Sequence, residues 1–131
     1  MYQVHGRIGK DHYRAELKTE TNAIIADEPF DVGGKDTGFS PSELLASSLA
    51  ACTCITVRMY ADRKEWNLDE VIAEVTLEKL EGKSKFTRKV EFKGSLDQDQ
   101  LTRLQAIANK CPIHQALTNP IEIETVFSKK V

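Results

Sequence analysis

Two rhythms alternate along the chain. Residues 2–9 (YQVHGRIG) and 12–19 (HYRAELKT) alternate loosely between apolar and polar side chains around the turn residues Gly9, Lys10 and Asp11. Residues 22–27 (NAIIAD) repeat the pattern briefly. A period of two marks a strand with one face covered, so three strands are expected. Residues 28–39 (EPFDVGGKDTGF) carry three glycines, a proline and two aspartates, and predict a loop.

The period then lengthens. Ser40 stands where an N-cap is needed, Pro41 suits the first helical position, and Glu43 completes an S-x-x-E capping box. The helix it opens is predicted from Pro41 to about Lys64. Between Leu44 and Val57 it has no charged residue and is apolar or small on every side, the pattern of a helix buried all round. Residues 69–82 and 84–94 alternate again and predict a hairpin turning near Gly82 and Lys83. In 96–110, Leu101, Leu104, Ile107 and Ala108 share one helical face. Pro112 opens a short third helix at 112–118, and IEIETVFSK at 121–129 predicts a closing strand. The order β-β-β-α-β-β-α-α-β predicts one α+β domain spanning 1–131, with antiparallel strands around a central helix. Strands from one chain cover one side of that helix, so a second copy is expected to cover the other, as a homodimer.

Composition narrows the setting. A net charge of −2, with 40% apolar and 29% charged residues, fits a soluble globular chain and gives no reason to expect nucleic acid as a partner. No apolar run was expected to approach the ~20 residues of a membrane span. The opening MYQVHGRIGK lacks the apolar centre of a secretion signal, and a cytoplasmic location is expected. Three cysteines there are expected as thiols, and an odd count argues against a closed disulfide framework.

Two of the cysteines, Cys52 and Cys54, sit two residues apart in the central helix. At about 100° per residue they face opposite ways, so they neither chelate one ion together nor pair without unwinding the helix. Cys52 shares its stripe with Leu45, Ser48, Leu49, Ile55 and Met59, and Cys54 shares its own with Ala50, Ala51, Val57 and Arg58. This geometry does not choose between them. Cys111 precedes Pro112 and is predicted to be an N-cap, where free backbone N–H groups and the helix dipole favour a thiolate. His114 makes a C-x-x-H with Cys111. Even with His5 and His12 as further candidates this is a weak zinc signal, because four ligands are normally needed. No metal is expected, and His114 is read as a surface residue.

The run DEPFDVGGKDTGFSPSELLASSLAACTCITVRMYADRK (27–64), with CPIHQAL (111–117) downstream, resembles the OsmC/Ohr family. These are the osmotically inducible protein C and organic hydroperoxide resistance proteins. The elements that carry the resemblance are the loop ending in Ser-Pro, the LLAxxLAAC helix and the second cysteine in a Cys-Pro turn. The resemblance implies antiparallel sheets wrapped around long central helices in an intertwined homodimer. It also implies a cofactor-free thiol peroxidase acting on small organic hydroperoxides. Cys52 matches the attacking cysteine and Cys111 the resolving one, with a dithiol reductant such as a dihydrolipoyl group. Cys54 matches nothing catalytic and is read as packing.

Two positions depart from the peroxidase pattern. The family's peroxidases carry a glutamate where this chain has Ser42, and Glu43 looks committed to the capping box. Their arginine partner should come from an N-terminal strand, where Arg14 fits best and Arg7 second. The chain therefore looks closer to a less characterised OsmC-like branch. A binding or sensor protein, using an apolar dimer crevice and a reactive cysteine for a lipid-like or electrophilic ligand, is the alternative.

Overall fold

Helix α1 (Pro41–Lys64) starts and stops where its end residues dictate. The Ser40 amide donates to Glu43 Oε1 at 2.9 Å, and the Glu43 amide donates to Ser40 Oγ at 3.3 Å, closing the predicted capping box. The Ser40 backbone N–H first, and the Ser40 hydroxyl second, hold the Glu43 carboxyl below its ordinary range. At the far end the Trp66 amide reaches back to the Ala61 carbonyl and the Glu65 amide to that of Asp62. Glu65 adopts the left-handed conformation (φ 56°) that this Schellman closure requires.

The computed structural model describes residues 1–130. The described residues form two compact units, 1–48 with 75–88, and 49–74 with 89–130. In the first, strands β1 (His5–Arg7), β2 (Ala15–Lys18) and β3 (Ala23–Ala26) make an antiparallel sheet in the order β1-β2-β3. Its register pairs Gly6 with Leu17 and Leu17 with Ile24. The first two strands are shorter than the alternation at 2–9 and 12–19 predicted. A bridge from Ala26 to Phe39 returns the 28–39 loop to the sheet.

That loop is tied down by a carboxylate. Asp27, only 2% exposed, accepts the Thr37 hydroxyl at 2.6 Å and the backbone N–H groups of Thr37, Glu28 and Tyr13 at 3.1, 2.8 and 3.2 Å. The Thr37 hydroxyl chiefly, with the backbone donors and against the effect of burial, holds the Asp27 carboxyl well below the usual carboxylate range. Inside the loop, a side chain at Gly34 would collide with the Glu28 carbonyl oxygen, and one at Gly38 with that of Ile25. Only glycine fits at either place.

Strands β4 (Leu68–Leu80) and β5 (Lys83–Gly94) form the predicted hairpin, with Gly82 in its turn at φ 77°. Helices α2 (Gln98–Ala108) and α3 (Pro112–Thr118) follow. Helix α2 opens with a capping box that the sequence reading did not single out, Asp97 with Gln100. The core of the second unit gathers Val57, Ala61, Leu68, Leu104 and Ala108, with Tyr60, Trp66, Val71, Phe92 and Leu96 against it.

Three observations bear on the expectations. Within a single chain helix α1 is buried along one side only, the side that one chain's strands were expected to cover. Leu49, Thr53, Val57 and Ala61 form a buried stripe at helical spacing, whereas Leu45, Ile55 and Met59 stand 44%, 57% and 55% exposed. Secondly, residues 121–129 form no strand, because a strand needs a neighbour. Ile121, Ile123, Val126 and Phe127 stand between 66% and 90% exposed, with no ladder partner among the described residues. Thirdly, by length and composition α1 is apolar enough to cross a membrane, which the sequence reading did not anticipate. Its buried stripe is equally that of a core helix.

Candidate thiol site

All three cysteines are free thiols, and all fall within the second unit. Cys52 lies on the open side of α1, half-buried, on the stripe of Leu45, Ser48, Ile55 and Met59. Its sulfur meets the Thr56 hydroxyl, one turn on, at 3.9 Å. An apolar molecule approaching that stripe would meet the thiol among aliphatic side chains.

Cys111 occupies the N-cap of α3, as its Pro112 neighbour predicted, and is fully buried. Its sulfur accepts the His114 backbone N–H at 3.3 Å. None of the residues of helix α3 is fully buried, but Ile113, His114 and Leu117 are half-buried. His114, read as a surface side chain, is half-buried.

The other candidates are placed as follows. Ser42 is exposed in the first turn of α1, and Glu43 serves the cap. Arg14 belongs to the first unit and pairs with Glu16 at 3.8 Å, in a contact open to water. Arg7 is exposed in β1. Among the described residues, no three His, Cys, Asp or Glu side chains gather as a metal site.

Two groups escaped the sequence reading. One is the buried Asp27 carboxylate. Its signal was an aspartate ending an apolar strand at the mouth of a glycine-rich loop. The other is Arg103, whose Nε donates to the Tyr60 hydroxyl at 2.9 Å. That bond first, with the charges of Arg103, Lys64 and Lys110, pulls the Tyr60 phenol below its ordinary value.

The antiparallel strands, the long helix α1 and a cysteine at a helix cap define an α+β protein of OsmC-like fold. A model of the OsmC-like protein family matches residues 34–126, and the chain belongs to that family. It is similar to a Psychrobacter arcticus protein described as an osmotic stress induced and detoxification response protein. The two are 27% identical over 88% of each chain, with a TM-score of 0.74. An OsmC-like protein of Mycoplasma pneumoniae shares the fold, with TM-score 0.75 at 19% identity over 89% of this chain and 86% of that one. The organic hydroperoxide resistance protein OhrB of Bacillus subtilis is 25% identical over 90% of each chain, with TM-score 0.63. No curated protein sequence matches.

Proposed function

We propose that the chain is a cysteine-based peroxidase that reduces small organic hydroperoxides in the cytoplasm, in defence against peroxide stress. The carrying observation is the position of Cys52, a half-buried thiol on the open apolar stripe between Leu45 and Met59. Its likeness to a protein named for organic hydroperoxide resistance supports the substrate class.

In this reading the Cys52 thiolate attacks the terminal oxygen of the hydroperoxide. The O–O bond breaks, the alkoxide leaves and takes a proton as the alcohol, and Cys52 becomes a sulfenic acid. Cys111 then displaces water from that sulfenic acid to form a disulfide, and an external dithiol, such as a dihydrolipoyl group, restores both thiols. Because Cys111 is fully buried, the second step requires α3 to open. With serine at 42 and a neutral threonine beside the sulfur, turnover is slower than in relatives carrying the glutamate.

The working form is a homodimer. The exposed Leu45, Ile55 and Met59 and the uncovered apolar residues of 121–127 support it, since both surfaces call for a protein neighbour.

Titration with cumene hydroperoxide and with hydrogen peroxide, following free thiols, tests the reading. It expects rapid loss of two thiols per subunit with the organic oxidant preferred, and no turnover by Cys52→Ser. Unchanged turnover in that variant overturns it. One observation favours the binding reading instead. An apolar cavity of about 280 Å³ in the first unit, lined by Val4, Leu17, Ile24 and Leu44, has room for a small lipid-like tail. A ligand carried through purification, seen by native mass spectrometry, would support that reading.

A further inference from the structure

Three cations surround the phenol of Tyr60, near the end of α1. The Tyr60 ring packs against the core of its unit and meets Trp66 edge-on, with centroids 5.6 Å apart. Its hydroxyl accepts the Nε–H of Arg103, from α2, at 2.9 Å. That bond holds the guanidinium by one corner, and its two terminal nitrogens have no hydrogen-bond partner among the described residues. The Lys64 ammonium stands 5.7 Å from the ring centroid, and the charge of Lys110 reaches the same phenol. Arg103, Lys64 and Lys110 are all exposed, and none forms an ion pair among the described residues.

The chain has 20 acidic residues against 18 lysines and arginines, yet no carboxylate neutralises this cluster, although Glu65 and Asp99 lie close along the sequence. Like charges gathered in this way attract an anion from outside. The cluster also has a neighbour with chemistry. Lys110 directly precedes Cys111, the proposed resolving thiol, so their Cα atoms are about 3.8 Å apart. At physiological ionic strength a charge acts over about 8 Å, so an anion drawn to the cluster is drawn towards that cysteine. Arg103, already held by the phenol, loses little freedom when its terminal nitrogens take a carboxylate.

We propose that Lys64, Arg103 and Lys110 select an anionic reductant, a small dithiol bearing a carboxylate, for the disulfide that ends the peroxidase cycle. The proposal rests on the pairing of Cys52 with Cys111 in that reading. One thiolate of the reductant, its proton given to solvent, attacks the Cys52–Cys111 disulfide. A bond forms to one cysteine sulfur as the S–S bond breaks, and the displaced cysteine takes up a proton. The second thiolate of the reductant then displaces the other cysteine, which is protonated in turn, and the reductant closes as a cyclic disulfide. The protein gains two electrons and two protons, and the dithiol loses them. Tyr60 is a positioning residue, because it holds Arg103 where the carboxylate docks.

The experiment uses three reductants with the same dithiol and different charge: dihydrolipoate, neutral dihydrolipoamide and the cationic aminoethyl amide of dihydrolipoic acid. The full chain is first oxidised with diamide, which makes the disulfide without a hydroperoxide, and peptide mapping confirms the Cys52–Cys111 link. Acid quenching, alkylation and intact mass then follow its reduction. Each rate is divided by that dithiol's rate with a small neutral disulfide. At low salt, dihydrolipoate is expected to act about fivefold faster than the neutral amide, and the cationic amide more slowly than either. Salt at about 0.5 M brings the three rates together. Arg103→Gln and Lys110→Gln each reduce the preference for dihydrolipoate, and neither changes thiol loss under cumene hydroperoxide. Tyr60→Phe also weakens the preference. Equal corrected rates in the native chain, or a preference untouched when Arg103 and Lys110 are both replaced by glutamine, overturn this proposal and leave the peroxidase reading standing. A chain in which diamide makes no Cys52–Cys111 disulfide overturns both.

Discussion

The sulfur of Cys111 accepts the backbone N–H of His114 at 3.3 Å, which makes one thiol both the cap of α3 and the proposed resolving group. The two roles separate by substitution. Serine caps a helix well, so Cys111→Ser should keep the stability of the native chain, whereas Cys111→Ala should lose about 1 kcal/mol in urea unfolding. Under excess cumene hydroperoxide, Cys111→Ser should drive Cys52 to sulfinic acid, read by intact mass. A Cys52 that stays unoxidised in that variant contradicts its role as the attacking thiol.

Asp27 sets a pH window. Its carboxyl is depressed in the folded chain by the Thr37 hydroxyl first and by three backbone N–H groups, with burial opposing them. Such a group stabilises the fold above its unfolded value near 4, and the contribution is lost as pH falls towards the lower folded value. Asp27→Asn should therefore be less stable than the native chain at neutral pH, with the gap closing below about pH 4. Urea midpoints across that range check it, and a gap independent of pH would contradict the assignment.

Leu104 is fully buried among Val57, Ala61, Leu68 and Ala108. Leu104→Ala should cost about 3 kcal/mol, the usual result of emptying a leucine site in a packed core. A loss below about 1 kcal/mol in equilibrium unfolding would mean that this cluster is not the core of its unit.

Glu65 offers the opposite test. It holds a left-handed conformation at φ 56° to close α1, a conformation that costs an L-residue about 1 kcal/mol and glycine almost nothing. Glu65→Gly should raise the thermal midpoint, read by circular dichroism.

The exposed stripe of α1 bears on assembly. Ile55→Glu and Met59→Glu, separately, should shift sedimentation from dimer to monomer if that face joins two copies. Phe127→Glu should do the same through the uncovered terminal segment. A native chain that sediments as a monomer removes the homodimer altogether.

What the sequence disclosed follows from how local each signal is. The bounds of α1 were legible because Ser40, Pro41 and Glu43 mark its start within four residues and polar side chains mark its end. The cap at Cys111 was legible from Pro112 alone. The lack of a strand at 121–129 was not, because the alternation there calls for a partner and no local residue tells whether one exists. Nor was the Asp27 cluster, since Tyr13 and Thr37 lie far from it along the chain and meet it only in the fold. The guanidinium at 58 shared a stripe with Cys54 from the start.

The two glycines at 34 and 38 have a consequence for how this protein changes over time. Carbonyl oxygens of Glu28 and Ile25 forbid a side chain at either place, so the path of the 28–39 segment is set by main-chain crowding. Between them Lys35 is exposed and free to vary, and Asp36 is exposed within the few residue types that tolerate its left-handed φ of 53°. Descendants of this chain can thus repaint that stretch of surface, charge by charge, while its route stays where those oxygens put it.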